Sequence, residues 1–287
     1  MSTPPRPLVV FSHGNSFPAG TYAVLLRQLR ERGLRVEALD RFGHDPRHPV
    51  TTNWPHLVQQ LFEFAASQAR GHAGPLYLVG HSMGGFLSLM CAARHPQIAG
   101  RAVDGVVLLD SPLLGGWRAR LLEAMQRTRL IGRLSPGKIS RKRRHHWPDA
   151  QSALEHFHRK RRFAAWDPEV LRDYIAHGTQ DELSEQGQRR VLRFEREVET
   201  RIYNTLPHNL EQLLRRHPLR CPLAFIGGTD SEEMRQAGLA MTRRLVDSAQ
   251  AHRLQMLAGS HLFPMERPRE TADAIARALR SFLPPEA

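Results

Sequence analysis

Short apolar runs alternate with amphipathic stretches over the first hundred or so residues of the chain. Leu8-Val9-Val10-Phe11 reads as a buried strand, followed by a helix from about Thr21 to Arg32 that Gly33 ends as a C-cap. Leu34 to Leu39 is the next strand. Pro55 then opens a helix to about Arg70, with Leu57, Val58, Leu61, Phe62, Phe64 and Ala65 on its apolar side. Leu76 to Val79 and Val103 to Asp110 are two further strands, separated by a helical stretch around Phe86 to Ala93. These strands are almost continuously apolar, the pattern of strands covered on both faces of a parallel sheet. The alternation predicts an α/β fold with a doubly wound, mostly parallel sheet, whose ligands sit beyond the carboxyl ends of the strands. His13, Ser82 and Asp110 all fall at such ends.

From Leu113 to about Arg216 this pattern breaks into helical segments rich in arginine and aromatics. Asp167-Pro168-Glu169 reads as a helix start and His177-Gly178 as its stop, while Val191 to Tyr203 satisfies both the strand and the helix period. The strand and helix rhythm resumes with Pro222 to Gly227, a helix from about Glu232 to Ser248, a strand from Arg253 to Leu257 and a last helix from about Pro268 to Phe282. The expected organisation is therefore a core of residues 1–112 and 217–287 interrupted by an insertion, 113–216.

Composition narrows the class. The 287 residues are 41% hydrophobic, enough for a sizeable core, and no run approaches a signal peptide or a membrane span, so a soluble cytoplasmic protein is expected. Cys91 and Cys221 read as core fillers in a reducing compartment. The net charge of +13 raises the question of nucleic acid, but only Lys138, Lys142 and Lys160 among the 41 basic residues are lysine, which points to a coding bias toward arginine. No nucleic-acid motif accompanies the charge, although Leu113 to Arg216 holds 22 Lys+Arg against 13 Asp+Glu. Arg141 to Arg144 and Arg159 to Arg162 read as solvated helix faces. His145, His146, His156 and His158 are not expected to bind a metal, because residues two apart on a helix do not face each other, and no cofactor is expected.

The chemistry concentrates at Gly80-His81-Ser82-Met83-Gly84, a G-x-S-x-G on the turn from the Leu76 strand into the following helix. Glycines at 80 and 84 fit a turn too tight for a Cβ, and Gly85 permits close helix packing. With His13-Gly14 and Gly259-Ser260-His261, these residues resemble the α/β-hydrolase family over nearly the whole chain. The resemblance implies a fold that lacks the family's first strands, since only seven residues precede Leu8, and a helical cap at 113–216. It further implies Ser82 as nucleophile, His261 as its base, and an oxyanion hole of the Asn15 and Met83 N–H groups. Asp230 stands at the family's usual place for the acid; Asp110, after the strand preceding the cap, is the alternative that some members use. Asp40 to Asp45 resembles the family's D-x-x-G-H-G loop, with Asp45 in place of the last glycine and His44 structural. The implied activity is cleavage of an ester, or a thioester or amide, in a small-molecule substrate through an acyl-enzyme. The alternative is a non-catalytic ligand-binding or scaffold protein on the same fold. Neither nucleic acid nor membrane is expected as a partner, and the oligomeric state is left open. The cap's three tryptophans, Trp117, Trp147 and Trp166, are expected to line an apolar pocket, with some of its arginines at the rim.

Overall fold

A computed structural model describes residues 5–128, 143–185, 187–246 and 250–283. Six parallel strands form the central sheet: β1 (Leu8–Ser12), β2 (Arg35–Ala38), β3 (Leu76–His81), β6 (Gly105–Leu109), β10 (Leu223–Gly228) and β11 (Leu254–Leu257). Two short pairing strands, β4 (Gln97–Ile98) and β5 (Arg101–Ala102), lie between β3 and β6 in sequence. Strands β7 (His146–Trp147), β8 (Thr179–Ser184) and β9 (Gly187–Leu192) belong to the insertion. The order across the main sheet is β11-β10-β6-β3-β1-β2, with every pairing parallel.

Alternation along the strands divides the core in two. Leu8, Val10, Leu76, Leu78, Val106, Leu108, Leu223 and Phe225 point to one side, where α2 (Pro55–Ala69) and α3 (Met83–Arg94) cover them with Leu57, Leu61, Phe86 and Leu89. Val9, Phe11, Tyr77, Val79, Val107, Leu109, Ala224 and Ile226 point to the other, against α1 (Ala23–Glu31) and the last helix, Pro268–Arg280. Each fully buried aliphatic side chain contributes about 1.5–3 kcal/mol relative to exposure. That two-sided covering is why the strands carry no polar face.

Because all six strands run in one direction, the loops that follow them share one edge of the sheet. Ser82 leaves β3, Asp110 leaves β6 and His261 lies beyond β11, so the sheet order sets the spacing of these side chains. The expected single helix after β10 is two, Glu232–Ala237 and Ala240–Leu245, broken at Gly238 with φ +74°. Ser248, its expected end, lies outside the described residues, as do Lys138, Arg141 and Lys142.

The insertion is not wholly helical. Its helices include Gly116–Arg127, Ala150–His158, Pro168–Gly178 and Arg196–Asn204, but β7, β9 and β8 form an antiparallel sheet. Opposed charges sit directly across β8 and β9: Glu182 opposite Arg189 and Asp181 opposite Arg190, with ion pairs of 2.5 and 3.2 Å. Such cross-strand pairs favour a hairpin, and β9 begins at Gly187, with φ +106°, opposite Ser184. Val191 to Tyr203, which fits either period, is divided between the end of β9 and the helix Arg196–Asn204.

Gly84 stands against backbone rather than a side chain: an added Cβ there would collide with the carbonyl of Ser12. We expect Gly84→Ala to destabilise the protein by about 3 kcal/mol, at the upper end of overpacking costs, because backbone rather than a movable side chain must give way. Urea unfolding measures it as a lower midpoint with an unchanged slope.

Candidate active site

Ser82 occupies the corner between β3 and α3 with φ +53° and ψ −116°, a conformation L-residues rarely adopt. The strain is held from three sides. The Ser82 N–H donates to the Leu109 carbonyl at 2.8 Å, the Ser111 hydroxyl donates to the Ser82 carbonyl at 2.9 Å, and a Cβ at Gly80 would collide with the backbone of Gly84. A side chain at Gly85 would strike the Ser111 hydroxyl, so this glycine keeps the helix against the strand end. Ser82 itself is only half-buried.

His261 bridges two of the expected residues. Its Nε2 lies 3.0 Å from Ser82 Oγ, and its Nδ1 lies 2.7 Å from Asp110 Oδ2. Asp110 is fully buried, and two more donors reach its carboxylate: the Gly228 N–H at 2.7 Å and the Ser231 hydroxyl at 2.5 Å. Three donors thus satisfy a carboxyl group that has no access to water. Of the two candidate aspartates, Asp110 is the one bonded to His261. Asp230 stands exposed on the loop after β10, its N–H donating to the Gly259 carbonyl. The next residue, Ser231, turns inward instead, capping the helix Glu232–Ala237 through the Met234 N–H while donating to Asp110. Asp110 reaches the histidine because its own backbone turns at φ +44° directly after β6, the strand beside β3.

The histidine loop is braced from behind. Glu266 accepts from the Ser260 N–H at 3.0 Å and from the Ser260 hydroxyl, and that hydroxyl accepts from the Leu262 N–H at 3.1 Å. The carbonyl of His261 accepts from His81 Nε2 at 2.9 Å.

Asn15 lies on the loop after β1, and Met83 is the first residue of α3. An amide in the first turn of a helix has no intrahelical acceptor, and among the described residues the Asn15 N–H donates to no backbone carbonyl. Two histidines fix this loop to the core. His13 Nδ1 donates to the Gly14 carbonyl at 2.8 Å, while its Nε2 accepts from the Phe42 N–H at 3.0 Å. The Tyr22 hydroxyl accepts from the Gly14 N–H at 2.9 Å, so its own hydrogen goes to His81 Nδ1 at 2.7 Å. One chain of bonds therefore runs from Gly14 through Tyr22 and His81 to the backbone of His261. Burial holds His13 at a pKa of about 4 and His81 at about 3, far below the ordinary histidine value; the nearby His261 adds to the lowering at His81. His44 is bonded on both nitrogens, to the Phe42 carbonyl and the Glu195 N–H, as a structural histidine.

The aromatics of the insertion pack mainly on one another. Trp166 and Tyr174 both lie against Phe17, just beyond Asn15, with ring centroids 5.5 and 5.7 Å from it, and Phe163 lies 4.6 Å from Trp166. Trp147 is buried with Phe157, whereas Trp117 is 66% exposed, with the Arg118 guanidinium over its ring. Several of the arginines are tied to carboxylates, Arg193 to Asp40 and Arg162 to Glu233 among them. No group of His, Cys, Asp and Glu fit to hold a metal occurs among the described residues. Among them, too, no helix is long and apolar enough to cross a membrane. Both cysteines are free, and burial raises Cys91 to about 12.

A family model described as "Alpha/beta hydrolase family" matches residues 9–274. The chain belongs to the alpha/beta hydrolase family. Among its relatives, human monoglyceride lipase is 31% identical over 113 residues, 38% of this chain and 37% of the relative. Monoacylglycerol lipase of Mycolicibacterium smegmatis is 30% identical over 148 residues, 47% of this chain and 48% of the relative. The chain thus spans less than half the length of these relatives. The peroxisomal alpha-beta-hydrolase Lpx1 of Saccharomyces cerevisiae superposes with a TM-score of 0.72 at 16% identity, over 99% of this chain and 80% of that one. E-2-(acetamidomethylene)succinate hydrolase superposes at 0.68 and 20% identity, over 97% and 93%.

The residues that support the site were not legible in the sequence. Tyr22, His81, Ser111 and Ser231 carry no pattern that marks them, although Ser231 directly follows Asp230.

The two buried histidines predict a pH dependence of stability. Each is neutral in the fold, while in the unfolded chain it takes up a proton below a pKa near 6.5, so the unfolded state binds more protons and stability falls as pH drops from about 6.5 toward 4. Each contributes about 1.4 kcal/mol per pH unit in that window. Urea unfolding at pH 7 and pH 5 should register a loss of several kcal/mol that shrinks in His13→Gln, when each variant is compared with itself at the two pH values.

Proposed function

We propose that this protein is a serine hydrolase that cleaves a carboxylic ester of a small substrate through an acyl-enzyme, with Ser82 as nucleophile, His261 as base and Asp110 as the acid behind it. The observation that carries this reading is the single imidazole set 3.0 Å from Ser82 Oγ and 2.7 Å from a fully buried carboxylate. A serine hydroxyl is a weak nucleophile until a base takes its proton, and an imidazole needs a fixed tautomer to do so. The Asp110 carboxylate accepts the Nδ1 hydrogen, which leaves the Nε2 lone pair facing Ser82.

In the first half-reaction Ser82 Oγ attacks the ester carbonyl carbon as its proton passes to His261 Nε2. The oxygen of the tetrahedral intermediate takes its charge between the N–H groups of Asn15 and Met83, each such donor being worth about 3 kcal/mol in the transition state. His261 then returns the proton to the leaving alcohol oxygen, and the C–O bond breaks to give the acyl-serine. In the second half, water gives a proton to His261 and its oxygen attacks the acyl carbon. The carboxylic acid departs as Ser82 recovers its hydrogen. Tyr22 and His81 hold the two loops that frame these steps at a constant separation.

The lipase relatives favour monoacylglycerols as the first substrates to try, beside p-nitrophenyl esters of graded chain length. We expect Ser82→Ala and His261→Ala each to lower turnover by about 10⁴-fold or more, with little change in melting temperature and no further loss in the double variant. A Ser82→Ala protein that retains most of the esterase activity would refute the reading.

The two aspartates give the sharper comparison. Asp110→Asn replaces the acceptor on His261 Nδ1 with an amide and should cost about 10⁴-fold in kcat. Asp230→Asn, on an exposed side chain, should remain within about threefold, the size of a surface effect. The opposite ranking in kcat would assign the acid to Asp230.

A further inference from the structure

We infer that Glu199 is a positioning residue through which the insertion sets the oxyanion loop; the inference rests on the hydrolase reading above. Glu199 lies on the helix Arg196–Asn204 and is almost fully buried. Its carboxylate accepts the Ser16 hydroxyl at 2.5 Å, and its backbone carbonyl accepts from Asn15 Nδ2 at 3.2 Å. One residue of the insertion thus holds two successive residues of a loop more than 180 positions away in sequence. A cation anchors the carboxylate from the other side, with Arg143 Nη2 2.9 Å from Oε2 and Nη1 3.4 Å from Oε1.

The loop needs such an anchor at this place. Ser16 has φ +78°, a left-handed backbone that a serine adopts only when its surroundings over-determine it. Side chains of the core hold the first half of the loop, His13 through Phe42 and Gly14 through Tyr22, while the turn over Asn15 and Ser16 is closed by a 3.3 Å bond from the Phe17 N–H to the Gly14 carbonyl. The second half carries the Asn15 N–H, and its side-chain bonds go to Glu199. In the ground state an ester carbonyl makes modest use of that N–H, whereas the oxyanion depends on its direction and distance. Loosening the Asn15 and Ser16 segment should therefore lower kcat and leave KM nearly in place. A carboxylate that served only packing would instead change the melting temperature and leave kcat alone.

The test uses Ser16→Ala, Glu199→Ala and Glu199→Gln in the full chain, assayed for kcat and KM on a p-nitrophenyl ester beside Ser82→Ala. Ser16→Ala and Glu199→Ala should each lose about tenfold or more in kcat, the scale set by misplaced catalytic geometry, with KM changed by less than about threefold. Glu199→Gln keeps an acceptor for the Ser16 hydroxyl and should recover most of the rate. Ser16→Ala leaves the Arg143 pair untouched, so it decides the matter if Glu199→Ala does not fold. A folded Ser16→Ala protein with kcat within twofold of the parent would overturn the inference while leaving Ser82-dependent hydrolysis intact. Hydrolysis that persists unchanged in Ser82→Ala would overturn the hydrolase reading and the inference together.

Discussion

The structure depends on the corner at Ser82, where a β-strand becomes a helix within one residue. A serine at φ +53° and ψ −116° is unfavourable in isolation, and the cost is offset only because everything around it is already fixed. Glycines at 80 and 84 let backbones approach where no Cβ fits, Gly85 leaves room for the Ser111 side chain, and bonds to Leu109 and from Ser111 tie the turn to the neighbouring strand. The apolar sheet supplies the rigidity. Leu78 and Val106, in register on β3 and β6, are both fully buried, so the position of Ser82 relative to Asp110 follows from strand pairing rather than from loop conformation.

His261 is brought in from a more distant strand. It lies beyond β11, at the far edge, and its loop must reach back over β10 to stand between residues of β3 and β6. The braces on that loop have this purpose in common: Glu266 holds Ser260, and His81 holds the His261 carbonyl. His81 links that carbonyl to the Tyr22 hydroxyl only as a neutral imidazole, because its Nδ1 must keep a lone pair to accept from Tyr22, and this ties the support of the site to the protonation of a residue that touches neither Ser82 Oγ nor Asp110 in the hydrogen-bond network. The same chain of bonds ends on Gly14, so the loop bearing Asn15 and the loop bearing His261 share one support.

Much of this was legible in the sequence because the sheet is covered on both faces and its strands therefore read as unbroken apolar runs. The corner was legible because close backbone approach demands glycine, and Gly80 and Gly84 flank Ser82 at the required spacing. The choice between Asp110 and Asp230 was not. Both follow strands that are neighbours in the sheet, and which side chain turns inward is decided by a backbone dihedral at Asp110 and by the cap that Ser231 makes, neither of which leaves a mark in composition. The β8 and β9 hairpin was hidden for a different reason. Its residues Thr179 to Leu192 are mostly charged or polar and exposed, so no apolar period marks the strands, and the pairing becomes visible only when Glu182 and Arg189 are seen to face each other. Glu199 is a glutamate on an amphipathic helix until the fold brings Asn15 and Ser16 to it.

The central claim is that Ser82 is a nucleophile activated by its neighbours, and reaction with a fluorophosphonate followed by peptide mapping tests it most directly. The account predicts one phosphonyl group per chain, on the peptide containing Gly80 to Gly85 and on Ser82 within it, forming rapidly at neutral pH. Its formation should slow sharply when His261 is replaced by alanine. A fully folded protein that takes up no phosphonate, or that takes it up on another serine at the same rate with His261 absent, would contradict the account.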